Sequence, residues 1–558
     1  MERRFLLAIT LMIAVLVAPS FFAKRRPPVR PGADSTSVAA APDTGDRRPD
    51  TGAPTAPPVS SVLPVPTVLP VSPVQADTIS LVMPRAAYRF SSIGGALDQA
   101  VFPDARSFRR GDDKRPANLI RPGDRMLVHR IVVGSDTLKM DDVAFTQARE
   151  GAAITMTGAR GAVTQTMRIT PAPGGTFLID VSGELAGLEG RGALLLIGMG
   201  NGFANVEADS MDNYRNYAVA VRRSSVENVN FRSVDPGVVQ TLPGPFDWVG
   251  VKSKYFLGAL LSADSSKPQF GGTVLVGGTR EGRVATTMQT WVTTAVGPDG
   301  RFHYRLYLGP QQQRLLHSLG RDLDRASSYG WIFKPIVMPV AGLLTRFFLF
   351  MHEQLRLSYG LALVLFGVLV RLVLWPLNQR AMKSQVAMMA VQPLMKDIQT
   401  RYKNDPQKLQ TEMMKLYKEH NVNPLGGCLP LLLPMPVLLA LFFVFSRAIE
   451  LRGTAFLWLP DLSLRDPLFI TPLVMGASMY ALSKMSQAGM PPNPQAKMMT
   501  NVMPVMMTVM FLNFASGLNL YYAVSNLVSL PQQYLINKAR QAEMSRRQVS
   551  VGTTGKKT

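Results

Sequence analysis

Arg371 stands near the middle of an otherwise apolar run, Tyr359-Gly-Leu-Ala-Leu-Val-Leu-Phe-Gly-Val-Leu-Val-Arg-Leu-Val-Leu-Trp375. A charged side chain inside a bilayer costs roughly 2.5–3.5 kcal/mol on insertion scales, and it belongs against a cavity or a partner. Two readings compete. In one, the guanidinium works as a fixed positive charge at membrane depth. In the other, it snorkels to an interface, helped by a helix that ends at Trp375-Pro376. Enzyme chemistry finds no comparable foothold. No HExxH, GxSxG, Walker loop or dinucleotide fingerprint is present. His129, His303, His317, His352 and His420 are scattered along the chain. Cys428 is the single cysteine, which excludes an intramolecular disulfide and a thiol cluster. It lies in a Gly-Gly turn and reads as a packed small residue. The expectation is no catalytic residue, no metal site and no cofactor.

The elements that would position Arg371 follow from composition. The chain has 558 residues, 47% hydrophobic and 18% charged, with a formal net charge of +22. That balance suits a membrane protein with a soluble part, and the basic excess fits anionic lipid or a ribosome. Free DNA is excluded as a partner, because no DNA-reading motif accompanies the charge. Phe5–Ala23 is one apolar run of about 28 Å as a helix, preceded by Arg3 and Arg4. It reads as an uncleaved anchor within residues 1–26. A cleaved signal peptide is the alternative, disfavoured by Phe21 at the −3 position. Residues 27–77 are a Pro/Ser/Thr-rich linker. Residues 78–310 carry short β-like runs, such as Arg125–Val133, Ala153–Thr157 and Thr273–Val276. They predict an antiparallel all-β sandwich with turns at pairs such as Asp299-Gly300.

Residues 311–356 read as a linker and an interfacial amphipathic helix, because Lys334, Pro335, Pro339 and Arg346 break its apolar stretch. Five spans at about 358–376, 429–447, 467–485, 501–514 and 517–536 form a core over 357–537. Within it a cytoplasmic hairpin, 380–422, carries Lys396, Arg401, Lys403, Lys408 and Lys415. Its helices are expected over 381–402 and 406–420, with Pro393 interrupting the first. Asp405-Pro406 should start the second, as N-cap and first helical residue. Residues 538–558 are a basic tail. Positive residues stay inside, so hairpin and tail are cytoplasmic. The N-terminus is then cytoplasmic too, and the β domain lies outside. Methionines cluster in the hairpin (Met382, Met388, Met389, Met395) and around the fourth core span (Met498, Met499, Met503, Met506, Met507, Met510). Such adaptable side chains suit a surface that accepts many apolar sequences; ordinary membrane packing explains them equally.

The run Asn423-Pro-Leu-Gly-Gly-Cys-Leu-Pro430 with Met435-Pro436 resembles the YidC membrane insertase family. Further ordered motifs continue the resemblance: Glu412–Lys418, Ala448–Arg452, Asp461–Ser463 with Asp466-Pro467, and Ser516–Leu527. Trp248-Val249, Tyr255-Phe256 and Tyr307–Pro310 add a weaker likeness to the periplasmic β-supersandwich of Gram-negative members. The resemblance implies a bacterial inner-membrane insertase and chaperone for newly made membrane proteins. It would act alone or with the Sec translocon, through a hydrophilic, lipid-open groove. A groove arginine would be Arg371 and a groove tyrosine Tyr522. A hydrophobic slide would comprise Leu431, Met435, Leu438, Met503, Met506, Met507 and Met510. The chain also departs from the family: Gly367 stands where some members carry Thr, Pro434 where some carry Gln, and Asn513 replaces a groove Trp. Asn519 and Asn526 share a helix face with Tyr522 and are expected to restore polarity. The rival readings are a transporter with a midplane basic site, which would need internal repeats, and an anchored sugar-modifying enzyme, which would leave five spans unexplained.

Overall fold

The computed structural model describes residues 76–112, 115–174, 176–188, 190–327, 334–420, 435–488 and 494–554. The expected anchor and most of the linker lie outside them. So do the run 423–430, Leu431 and Pro434.

Residues 78–310 form antiparallel sheets, as the alternating apolar runs predict. Nine strands make the larger sheet. In spatial order they are Val226–Asn230, Ala218–Arg222, Trp248–Lys252, Phe256–Ser262, Arg301–Pro310, Leu178–Ala186, Val163–Pro171, Ala153–Arg160 and Thr146–Glu150. A six-stranded sheet runs Val239–Phe246, Phe270–Gly277, Met288–Val296, Ala193–Gly198, Val128–Val133 and Asp136–Lys139. One apolar cluster joins the two, with Ile131, Leu195 and Val292 from the smaller sheet and Ile169, Val181 and Leu306 from the larger. Alternating residues of each strand enter this core, which fixes the register. Gly300 takes φ +70° in the turn that the Asp-Gly pair predicts. Helix α1 (Ser210–Arg215) crosses the sandwich edge, and α2 (Gln313–Ser318) leads out of it.

The helical part begins with α3 (Lys334–Glu353), which holds Pro339 inside it. Its buried residues Val337, Ala341, Leu344 and Phe348 recur at helical spacing and pack on α4 (Tyr359–Ala390) and α7 (Met435–Arg447). The expectation that the helix ends at Trp375-Pro376 is overturned. Helix α4 runs through Pro376 for 32 residues, about 48 Å. Proline removes one N–H, leaving a single carbonyl a turn earlier to find another partner, and long helices tolerate this. The expected separate helix over 381–402 is therefore absent: its first half belongs to α4. The break falls at Val391, and α5 (Gln392–Arg401) starts afresh with Pro393 in its first turn. Helix α6 (Pro406–Glu419) returns as expected, its N-terminus capped by Asp405, which accepts from the Lys408 N–H at 3.1 Å. Val391 and Leu416, flanked by Met395 and Ile398, hold the hairpin together.

Helices α8 (Ile470–Gln487), α9 (Pro494–Phe511) and α10 (Ser516–Thr554) complete the bundle. Helix α10 is continuous through Pro531, so most of the basic tail extends the last expected span as one helix. It is also central, packing against α4, α7 and α8, while α9 packs on α8. Tyr359–Gln379 is the one segment among the described residues long and apolar enough to cross a membrane. Met435–Arg447 and Thr500–Phe511 are shorter apolar helices.

Candidate functional site

Arg371 lies three turns into α4, about 18 Å from the helix start. It is half-buried. Its guanidinium lies within electrostatic reach of the Tyr521 and Tyr522 phenols of α10. No carboxylate pairs with it among the described residues. None could come from the surrounding helices: 354–396, 421–449 and 467–542 contain no Asp or Glu. A cation at this depth thus faces hydroxyls rather than a counter-ion, and its charge stays available to an incoming anion.

Gly367, one turn earlier, is where α4 and α10 meet. A Cβ there would stand 3.2 Å from Cγ1 of Val524 and 3.7 Å from Oγ of Ser525. The missing side chain lets the helices approach, as small residues do at membrane helix contacts.

Asn519, Tyr522 and Asn526 share a face of α10, as their spacing requires, but they do different work. Asn519 is fully buried and donates from Nδ2 to the Phe511 carbonyl at 3.1 Å. It ties the end of α9 to the first turn of α10, and its Oδ1 has no protein partner. Tyr522 lies edge-on to Phe511, ring centroids 5.4 Å apart. Asn526 donates to Ser478 Oγ of α8 at 3.3 Å, and that hydroxyl donates to the Met475 carbonyl. Asn513 is exposed in the turn between α9 and α10 and joins none of these contacts.

Sequence reasoning passed over Tyr521, Ser478 and Gln532. Tyr521 faces both Arg371 and Phe366, the latter at 6.0 Å between centroids. Gln532 is buried with Nε2 unpartnered. The adjacent Tyr521-Tyr522 pair and the three- and four-residue spacing of Ser525, Ser529 and Gln532 were the available signals.

The methionine surface differs from expectation in detail. Met503 and Leu438 are buried, while Met435, Met506, Met507 and Met510 are half-buried. Exposed on α9 is a valine row, Val502, Val505 and Val509, with Met506 and Met510 beside it. Helix α4 exposes Leu361, Leu365, Leu369 and Leu372 on one face. Lys396, Arg401, Lys403, Lys408 and Lys415 are all exposed on the hairpin.

Comparison with known proteins gives two family matches. The 60Kd inner membrane protein family matches residues 350–543, and the YidC periplasmic domain family matches residues 84–341. The membrane protein insertase YidC of Chlorobaculum tepidum is 31% identical over 456 residues, covering 76% of each chain. That of Syntrophus aciditrophicus is 38% identical over 294 residues, and here the chain spans about half of the relative, 52% of each. Among solved structures, a YidC insertase with its first transmembrane domain resolved aligns over 83% of this chain and 93% of its own. The identity there is 18% and the TM-score 0.34. A galactose mutarotase-like protein from Lactobacillus casei covers 42% of this chain at 11% identity, all of its own chain, with a TM-score of 0.29.

Proposed function

The chain belongs to the YidC membrane protein insertase family, and from that premise we propose that it inserts newly made membrane segments through a polar groove centred on Arg371. The family is one of inner-membrane proteins with a periplasmic domain rather than of enzymes. The observation that carries the reading is the Arg371 guanidinium of α4, set against two phenols, with no Asp or Glu in 354–396, 421–449 or 467–542.

The mechanism follows from charge. A membrane segment with a short acidic tail must take that tail across lipid. Arg371 gives a carboxylate a halfway stop, where a charge-assisted contact offsets part of its lost hydration. Tyr521, Tyr522 and Gln532 offer further hydrogen bonds at the same helix. The apolar segment meanwhile rests against the valine and methionine side chains of α9 and leaves sideways into lipid. Release is downhill once the segment is in the bilayer, so the step needs no nucleotide.

On this reading the helical core crosses the inner membrane five times, both termini are cytoplasmic and the β domain is periplasmic. The exposed lysines and arginines of the α5–α6 hairpin, with the basic tail, would face the cytoplasm and meet a ribosome. The Sec translocon is a second partner, for substrates too complex for the groove alone. The test is protease-protected insertion of a single-span substrate into proteoliposomes holding only this protein. Insertion by the wild type and loss in Arg371→Ala is the expected result. Failure of the wild type to insert would refute autonomous insertion, and equal insertion by both would refute the role of the arginine.

A further inference from the structure

We propose that Glu450-Leu-Arg452 is a clasp that docks the β domain on the helical core and sets the position of the first turn of α10. The tripeptide follows α7 by two residues and opens the loop leading to α8. Its two charges reach the β domain and the helix α2 that leads out of it. Arg452 donates from Nε to both carboxylate oxygens of Glu207, at 2.9 and 3.0 Å, and from Nη2 to the Val206 carbonyl at 3.2 Å. Both side chains are nearly sealed from water, 4% and 9% exposed. The guanidinium lies 4.6 Å from the centroid of Phe108, which itself packs on Gly453. A Cβ at Gly453 would stand 2.4 Å from that ring, so the glycine is needed for the close approach. On the other side the Glu450 carboxylate accepts from the Gln313 backbone N–H, where α2 begins, with Arg314 close by. Leu451 between them is buried.

The far end of the same loop holds α10. Ser516 N–H donates to the Leu464 carbonyl at 2.6 Å, and Gly517 N–H to the Leu462 carbonyl at 3.0 Å. The Ser516 hydroxyl donates to the Asp461 carbonyl at 3.2 Å. These bonds satisfy N–H groups that a helix start leaves open. The loop is therefore pinned at one end by the β domain and at the other caps the helix that carries Tyr522. Docking fixes the upper end of the groove wall, so the β domain restrains the core rather than hanging from it. The effect on insertion rests on the insertase reading; the docking does not.

A buried ion pair gives the clasp a distinctive signature. Removing one partner leaves an uncompensated buried charge, whereas replacing both with apolar side chains of similar size is close to neutral. The experiment uses the full chain in lipid nanodiscs and follows amide hydrogen exchange in 204–208 and 449–466. The strand Val163–Pro171, in the other half of the larger sheet, serves as the folding control. Glu207→Gln should speed exchange in both segments on the order of a hundredfold, with the control strand unchanged. Arg452→Gln should do the same, and the double variant Glu207→Leu/Arg452→Met should recover most of the protection. Unchanged exchange in either single variant, or additive losses in the double variant, would overturn the clasp. If the control strand also speeds up in a single variant, the double variant decides alone: recovery supports the clasp, and no recovery overturns it. Insertion measured on the same preparations separates the two proposals. Loss of protection in Glu207→Gln beside a wild type that fails to insert keeps the clasp and refutes insertion.

Discussion

Arg371 should matter in proportion to the charge of what crosses. The perturbation is a matched set of single-span substrates with no, one or two carboxylates in the tail, tested against wild type, Arg371→Lys and Arg371→Ala. No Asp or Glu in the surrounding helices competes for the guanidinium, so a tail carboxylate would find it unpaired. A hydrogen bond to a charged group contributes about 1.5–3 kcal/mol. At 1.36 kcal/mol per tenfold, its loss slows crossing of a one-carboxylate tail by roughly 10- to 150-fold. A neutral tail should change less than about threefold, because it never uses the charge. Lysine keeps the charge, but as a compact ammonium with three rotatable donors where arginine offers a rigid planar fork, so it should fall between the two. The assay is the initial rate of protease-protected insertion into proteoliposomes, at low and high salt. Equal slowing of neutral and acidic tails by Arg371→Ala would refute the reasoning and make the residue a packing element. Equal loss in Lys and Ala would assign the effect to guanidinium geometry rather than charge.

Asn519→Leu removes one of two bonds to the Phe511 carbonyl, which keeps the Phe514 N–H, so it should cost about 0.5–1.5 kcal/mol in thermal unfolding, and insertion measured well below the transition should stay near wild type. Lost insertion at unchanged stability would return Asn519 to the groove. Gly476→Ala would place a Cβ 1.9 Å from Oγ1 of Thr508, forcing α8 and α9 apart at about 1–3 kcal/mol. Thr508→Ala should rescue it, since the next contact is at 3.1 Å, and no rescue would place the strain elsewhere. His129, buried between Tyr304 at 2.9 Å and Gln165 at 2.5 Å, has its pKa lowered by burial to about 4. The unfolded chain binds the proton first, so the β domain should lose stability as pH falls from about 6.5 towards about 4, and not above that window. In His129→Gln this pH slope, read by exchange in the neighbouring strands, should flatten; an unchanged slope would assign it to other groups.

What was legible in the sequence was the part that periodicity and punctuation control. Alternation gave the sheets, Asp-Gly the turn at Gly300, and Asp405-Pro406 the start of α6. Proline misled at Pro376, though not at Pro531, which lies inside the expected span 517–536. Pro376 and Pro531 both sit inside long helices, because losing one N–H in a helix packed on neighbours is cheaper than ending it. The lone arginine stood out because charge in an apolar run is rare. Tyr521 did not, since a tyrosine beside another tyrosine carries no spacing signal, and its direction depends on how α4 and α10 rotate against each other. The contact between Glu207 and Arg452 spans 245 positions, and no local pattern encodes it.

The polarity of the core is divided between groups that hold helices together and groups left open, and on the proposed reading this division decides where a substrate can act. Asn526 and Ser478 satisfy each other across α8 and α10, and Asn537 donates to the Met485 carbonyl at 2.6 Å. Asn519 holds the end of α9. These groups are committed, and a substrate that competed for them would have to break a helix contact first. Arg371, Tyr522 and the Nε2 of Gln532 are not committed in this way, and Tyr521 bonds only to Ser525 of its own helix. An asparagine on the Tyr522 face therefore does not replace a missing groove residue simply by being polar: its partner decides. Among the described residues these open groups are one cation, two phenols and one amide donor, beside the unpartnered Oδ1 of Asn519, with no anion. On the proposed reading such a set favours an acidic tail over a neutral one, which is the selectivity that the substrate series measures.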